Sequence, residues 1–156
     1  MEDACDVVAF APFVPNELDP LWVFSDGVFH SECFSRHPLA ERARARLAYL
    51  HERTSRPDTG YPLCALCERE ITDPDAYITL GHLTDDVASP MYRYNCVQAH
   101  EYCLARWDEL PRVYRWLEEQ KRAGAWRGVA LDWLLTKLRR LQMTAGPQSR
   151  DGRGPP

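Results

Sequence analysis

The sequence has 156 residues, 45% of them hydrophobic and 27% charged, which is ordinary for a globular protein. That length accommodates one domain or two small ones. No apolar run approaches the roughly 18 to 20 residues needed to cross a bilayer, and the acidic N-terminus has no signal-peptide pattern. We therefore expect a cytoplasmic protein without a membrane partner, in which six cysteines are more often metal ligands or free thiols than disulfides.

The net charge of −4 conceals a segregated distribution along the chain. Residues 1–35 carry −7, residues 36–60 carry +3, residues 61–111 carry −6 and residues 112–156 carry +6. Such an arrangement can attract a charged partner, or the opposite charges can attract each other within the fold. The basic residues are almost all arginine, which is typical of a GC-rich, bacterial coding sequence.

The first third predicts short strands and turns followed by helices. Several prolines exclude an early helix. Leu21–Phe24 is predicted as a strand, and a turn at residues 25–27 is predicted to reverse the chain before Val28. A helix is predicted to begin near Ser31. A longer helix should run from Pro38 to about Arg53, with one apolar stripe formed by Leu39, Ala43, Leu47 and Leu50.

The loop at residues 54–62 is the best candidate for a boundary between two structural units. After it we predict a hairpin that pairs Ala76–Leu80 with Met91–Tyr94. Helices are then predicted over His100–Glu109, Arg112–Ala123 and Val129–Met143. The Gly- and Pro-rich segment from Thr144 onward is predicted to be disordered.

Two tetrapeptides indicate a metal site: Cys64-Ala-Leu-Cys67 and His100-Glu-Tyr-Cys103. Structural zinc is held by four cysteine or histidine ligands in a tetrahedron, and paired ligands at this spacing supply them. The first pair suits a tight turn. The second pair lies at positions i and i+3 of a helix start, and therefore on one face, where the helix dipole favours thiolate. The sequence thus predicts a Zn²⁺ site formed by Cys64, Cys67, His100 and Cys103.

The order of turn, hairpin and helix-opening ligands resembles the treble-clef zinc fingers of LIM and RING-like domains, over about residues 61–110. The resemblance implies the same four ligands. Glu68 departs from it, because many such turns have Gly after the second cysteine. Cys96 could substitute as a ligand, but the helix-opening position favours His100. His82 is expected to be exposed in the hairpin turn.

The first half looks like a second version of this arrangement. Phe29–Phe34, which contains His30 and Cys33, resembles Ala99–Leu104. Aligning Asp19 with Asp75 then places Cys64 on Val8 and Cys67 on Ala11. Three interpretations remain open: a degenerate unit packed by hydrophobic contacts, a second zinc site completed by Cys5 with His30, Cys33 and a group such as His37, or chance similarity.

We therefore predict an α+β protein of two treble-clef-like β-hairpin and helix units. The expected divisions are a degenerate unit with a long helix at residues 1–56, a zinc-finger unit at 57–110, a C-terminal helical extension at 111–143 and a disordered tail at 144–156.

A closed set of three cysteines and one histidine leaves no open position on the metal, so we expect no enzyme activity. The predicted function is a zinc-stabilised adaptor that engages a protein partner, with the partner's identity and the oligomeric state left open. Tryptophans are common anchors of such interfaces, and Trp126, between two glycines, is expected to be the most exposed. The alternative is a nucleic-acid-binding regulator that uses the basic C-terminal helices.

Overall fold

The computed structural model describes residues 6–54 and 60–144, which contain four short strands, five α-helices and three 3₁₀ helices. The strands are β1 (Val7–Ala9), β2 (Val28–His30), β3 (Tyr77–Thr79) and β4 (Gln98–His100). The α-helices are α1 (Ser31–Ser35), α2 (Ala40–Arg53), α3 (Glu101–Ala105), α4 (Leu110–Arg122) and α5 (Val129–Thr144). The 3₁₀ helices are Pro20–Phe24, Pro74–Ala76 and Tyr92–Tyr94. The protein therefore has the predicted α+β composition.

Two antiparallel hairpins, β1 with β2 and β3 with β4, are built in the same register. Val7 pairs with His30 and Tyr77 pairs with His100, so equivalent residues lie 70 positions apart in both strands. One backbone hydrogen bond beyond the strands is also repeated at this spacing. Phe10 N donates to Gly27 O at 2.9 Å, and Leu80 N donates to Val97 O at 2.8 Å. We call β1 through α2 the first unit and residues 60–144, from the turn before β3 through α5, the second unit.

The loops of the two units also correspond at a spacing of 70 residues. Ser25 Oγ accepts from the backbone N–H groups of residues 13 and 14, and Asn95 Oδ1 accepts from those of residues 83 and 84. Asp26 and Cys96 both adopt left-handed backbone, with φ of 59° and 60°. The alignment of Asp19 with Asp75, an offset of 56, is therefore wrong. At the offset of 70, Val8 and Ala11 correspond to Ile78 and Gly81, so neither occupies the place of a cysteine of the second unit.

The two segments that were predicted as strands before β2 and β4 are short 3₁₀ helices instead. The Asp19 carboxylate accepts the N–H of Leu21 at 2.9 Å, and Pro20 begins the turn. These local interactions override the strand preference of the apolar run. Ser89 Oγ accepts the N–H of Met91 in the same way at 3.2 Å. Hence β3 pairs with Gln98–His100 and not with Met91–Tyr94.

The helix predicted over His100–Glu109 is shorter than expected and ends at Ala105, and α4 is the helix predicted over Arg112–Ala123. The N–H groups of Arg106 and Trp107 bond to carbonyls three residues earlier, which closes α3. The N–H of Leu110 then bonds to the Trp107 carbonyl, and α4 begins there with Pro111 in its first turn. The same sequence of a short helix, a turn and a longer helix joins α1 to α2 in the first unit.

Each unit has its own apolar core. The first core contains Val14, Leu21, Phe24, Phe34, Ala40 and Ala43. The second core is larger, because α5 packs on α3 and α4 and adds Leu131, Leu134, Leu135, Leu138 and Leu141. The predicted exposure of Trp126 is wrong: its ring is buried in the second core, and its indole N–H donates to the Pro15 carbonyl at 3.3 Å.

A buried arginine joins the two units. Arg46, on α2, donates to Asp19 at 3.2 Å within the first unit and to both oxygens of Asp85 at 2.8 and 2.7 Å in the second. The Arg46 side chain is 4% exposed, so its charge depends on these two carboxylates. The segment before the first 3₁₀ helix also joins the units, because Glu17 N donates to the Arg127 carbonyl at 2.9 Å.

Candidate metal centre

The four predicted ligands lie together in the structure. The ligand atoms of Cys64, Cys67, His100 and Cys103 all lie within 4.8 Å of one another. His100 Nδ1 is 3.6 Å from Cys67 Sγ and 3.9 Å from Cys103 Sγ. With Zn–S about 2.3 Å and Zn–N about 2.0 Å, the edges of a zinc tetrahedron are roughly 3.5 to 3.8 Å. The cluster therefore has the size of a tetrahedral metal site.

The first two ligands are held by a turn at residues 62–71, which we call the knuckle. Cys64 N donates to the Arg69 carbonyl at 2.9 Å, and Glu68 N donates to the Cys64 carbonyl at 2.8 Å. Glu68 adopts left-handed backbone with φ of 58°, which is a conformation that glycine adopts at less cost. The turn is attached to the hairpin because Ala65 N donates to the Gln98 carbonyl of β4 at 2.9 Å.

The other two ligands lie where β4 passes into α3. His100 is the last residue of β4, and Cys103 is the third residue of α3. The next side chain, Leu104, is fully buried and anchors the short helix in the second core. Lys137 of α5 adds a 3.0 Å ion pair to Glu101 at the start of α3. The ligand pair is thus positioned by tertiary packing as well as by the helix itself.

Two residues outside the predicted set surround the ligands. The Tyr102 ring stacks on His100 with centroids 4.8 Å apart, and the Tyr102 hydroxyl accepts from Arg69 at 2.6 Å. Zn²⁺ with three thiolates and a neutral imidazole carries a net charge of −1, which the Arg69 guanidinium would offset. Neither Arg69 nor Tyr102 was predicted from the sequence to lie at the site. The signal was available, since Arg69 lies two residues after Cys67 and Tyr102 lies between His100 and Cys103.

The thiols of the cluster differ in acidity. Hydrogen bonds from the backbone and guanidinium of Arg69 lower the pKa of Cys67 to about 6. Burial, with the neighbouring Cys67 and Cys64 sulfurs, raises the pKa of Cys103 to about 11. At neutral pH the metal-free cluster therefore keeps Cys103 protonated, and a metal ion must displace that proton in order to bind. Metal affinity should consequently fall as the pH falls.

The structure does not bring the first unit's candidate residues into a comparable cluster. Among residues 6–54 and 60–144, the four-residue group above is the only set of three or more possible ligands. His30 Nδ1 and Cys33 Sγ lie 3.9 Å apart on the surface. His37 Nδ1 accepts the Leu39 N–H at 3.1 Å, and its ring packs on Phe24. Cys5 lies outside the described residues.

Cys96 and His82 are not part of the cluster either. The Cys96 thiol is buried, and burial raises its pKa. The expectation that His82 is exposed is wrong: the residue is 8% exposed and packs against Tyr49. Its Nε2 is 3.0 Å from Asp85, the carboxylate that also pairs with Arg46. His82 therefore belongs to the buried ionic network between the units.

The position of His82 predicts a pH dependence of stability. Burial and the nearby Arg46 charge lower the pKa of His82 below its usual 6.5. The unfolded chain then binds the proton more readily, so the free energy of unfolding should fall as the pH drops from 7 through 6.5 towards the lower folded-state pKa. Urea unfolding between pH 7.5 and 5 should show a shallower decline for His82→Gln than for the unmodified chain.

The matched control for this measurement is His51→Gln, since His51 lies exposed on α2. All three proteins keep the four-residue cluster, so the differences between their profiles isolate the single histidine. Asp85 does not interfere. Burial acts to raise its pKa, but Arg42, Arg46 and His82 lower it overall below 3.8, which confines its contribution to a more acidic range. Equal slopes for the three proteins would contradict the prediction.

Comparison with family models, curated proteins and solved structures finds no match to this chain. Among the described residues, no helix is both long and apolar enough to span a membrane.

Proposed function

We propose that the protein is a zinc-stabilised, non-enzymatic binding protein that engages a protein partner. The observation that carries the proposal is the convergence of Cys64, Cys67, His100 and Cys103 within 4.8 Å. In this proposal the second unit is a treble-clef zinc finger, in which the knuckle supplies two ligands to Zn²⁺, the end of β4 supplies His100 and α3 supplies Cys103. Thiolate ligation of this kind fits a reducing compartment such as the cytoplasm.

A scaffolding role for the metal follows from its ligand set. Catalytic zinc keeps a position for water or substrate, whereas three cysteines and one histidine complete the tetrahedron. The thiolates also reduce the ion's ability to polarise a substrate. The surfaces that the ion holds in place would then perform the function. Exposed apolar side chains that suit a protein partner include Trp22 and Val23 on the first 3₁₀ helix, at 43% and 52% exposure.

Nucleic-acid binding is the second candidate, and the ion pairs of the fold weaken it. Lys137 and Arg140 both pair with Glu101, and Lys121 pairs with Asp132. Arg112 and Arg127 likewise have acidic partners, Glu109 and Glu17. Much of the basic charge of the C-terminal helices is therefore balanced within the protein, and less of it is available to contact phosphates.

Affinity capture with the full chain at two salt concentrations tests the proposal. A protein partner that remains bound at 500 mM salt and after nuclease treatment is the expected result, because apolar contacts are little screened. Binding to random-sequence duplex DNA that falls by a factor of about 10³ or more between 50 and 200 mM salt, with no protein retained, would overturn the proposal in favour of the second candidate.

A further inference from the structure

The first unit presents a ligand pair with the geometry of the metal centre. His30 Nδ1 lies 3.9 Å from Cys33 Sγ, and the equivalent His100 Nδ1 lies 3.9 Å from Cys103 Sγ. In both pairs the histidine is the last residue of a strand in the same register, and the cysteine is the third residue of the five-residue helix that follows. The difference is accessibility, since His30 and Cys33 are exposed whereas their equivalents are partly buried.

In the second unit, the knuckle bonds to the strand that is equivalent to β2. There, Ala65 N donates to the carbonyl of Gln98, and the side chains of Gln98 and Tyr77 are half-buried. The equivalent residues of the first unit are Val28 and Val7, whose side chains are 69% and 54% exposed. Val7 lies opposite His30 in the hairpin. Two valines and two metal-binding side chains therefore share one exposed surface.

We propose that the first unit binds a Cys-x2-Cys knuckle of another polypeptide through a shared Zn²⁺ ion. His30 Nδ1 and Cys33 Sγ supply two ligands, and the two cysteines of the partner supply the others. Each of the three thiols releases its proton to solvent on binding, which leaves a complete set of three thiolates and one imidazole. Val7 and Val28 would be covered by the partner's knuckle.

The choice of occupant follows from the molecule's own second unit. In the second unit, the two cysteines of the knuckle lie beside the equivalent pair, His100 and Cys103. The knuckle also forms a backbone hydrogen bond with β4. The inference rests on the proposed function, because it takes the second unit as a zinc site. It goes further by naming the chemical class of partner and the surface that receives it.

A peptide of residues 61–71, which is the protein's own knuckle, is the probe for this site. The labelled peptide is titrated into the full chain with one equivalent of added Zn²⁺, and binding is followed by fluorescence anisotropy. We expect zinc-dependent 1:1 binding that is lost when both peptide cysteines are serine. His30→Ala and Cys33→Ser should each weaken binding at least tenfold, whereas His51→Ala, at an exposed histidine of α2, should not change it.

The other ways of completing the pair give different results. Zinc-dependent dimers that form without peptide and are lost in Cys33→Ser would assign the site to a second molecule of this chain. A second zinc per chain without peptide, lost in Cys5→Ser, would assign it to the chain's own N-terminus. Either result overturns the proposal, as does peptide binding that His30→Ala and Cys33→Ser leave unchanged, or no zinc-dependent binding at all.

Zinc retained by the chain before the titration is measured on the same samples. Loss of the proposed function would appear as a chain that holds no zinc at the four-residue cluster. Failure of the present inference alone would appear as a chain that holds one zinc and does not bind the peptide. The two failures are therefore distinguishable.

Discussion

Replacing Cys103 with serine is expected to release the metal and unfold the second unit. The free energy of zinc binding at structural sites of this type is about 10 to 16 kcal/mol and contributes directly to folding. Losing even about 4 kcal/mol of it would lower the Tm of a chain this long by roughly 8 to 16 °C. Thermal unfolding followed by circular dichroism, with zinc measured on the same sample, checks this prediction.

Cys33→Ser is the matched control for Cys103→Ser. The two cysteines occupy equivalent positions at the start of α1 and α3, but Cys33 is exposed and outside the four-residue cluster. Its substitution should change the free energy of unfolding by no more than about 0.5 kcal/mol. If both variants kept the zinc content and Tm of the unmodified chain, Cys103 would not be a ligand of a structural metal.

Replacing Arg46 with methionine is expected to destabilise the contact between the two units by about 3 kcal/mol. The substitution removes a buried guanidinium and leaves Asp19, only 15% exposed, without its charged partner. Asp85 is 51% exposed and can recover part of its hydration. The expected loss of stability is therefore near the lower end of the range for breaking a buried ion pair. Urea unfolding at pH 7 measures the effect.

Arg42→Met is the corresponding control, because Arg42 lies one helical turn away and pairs with the same Asp85 at 3.0 Å. Its side chain is 47% exposed, so the ion pair should contribute no more than about 1 kcal/mol. Equal losses for the two variants would mean that burial of Arg46 does not determine the strength of the network, and that the units are joined mainly by other contacts.

The clustering of Cys64, Cys67, His100 and Cys103 could be predicted from the sequence because it depends on local geometry. A Cys-x2-Cys turn and a His-x2-Cys helix start each bring two ligands onto one side of a short segment, whatever the rest of the chain does. The spacing of the cysteines and histidine does not predict which residues surround them. Arg69 and Tyr102 contact the cluster only because the knuckle and α3 are brought together, with the Tyr102 hydroxyl 2.6 Å from the Arg69 guanidinium.

The strands were harder to predict than the helices. Both misassigned segments, Leu21–Phe24 and Met91–Tyr94, are apolar and aromatic, which favours a strand in a sequence pattern. Their buried residues, however, are separated by three positions, as in Leu21 and Phe24, and this spacing suits a 3₁₀ turn. Side chains at Asp19 and Ser89 then bond to the backbone and stabilise the turn.

The relation between the two units was recognised from the sequence but placed at the wrong offset. At the correct spacing of 70, identical residues in the two units are few and scattered, namely Pro20, His30, Cys33, Arg36, Arg42 and Leu47 with their equivalents. The conserved feature is the backbone: the register of the hairpins, the left-handed residue before β2 and β4, and the side-chain acceptor at Ser25 or Asn95. Such features become visible only in three dimensions.

Native mass spectrometry of the full chain measures whether the four-residue cluster holds a structural zinc ion. We expect one zinc ion per chain in the unmodified protein, none in Cys103→Ser and one in Cys33→Ser. Acidification should release the ion as the thiolates are protonated. A folded, unmodified chain that carries no zinc after purification in the presence of the metal would contradict this expectation.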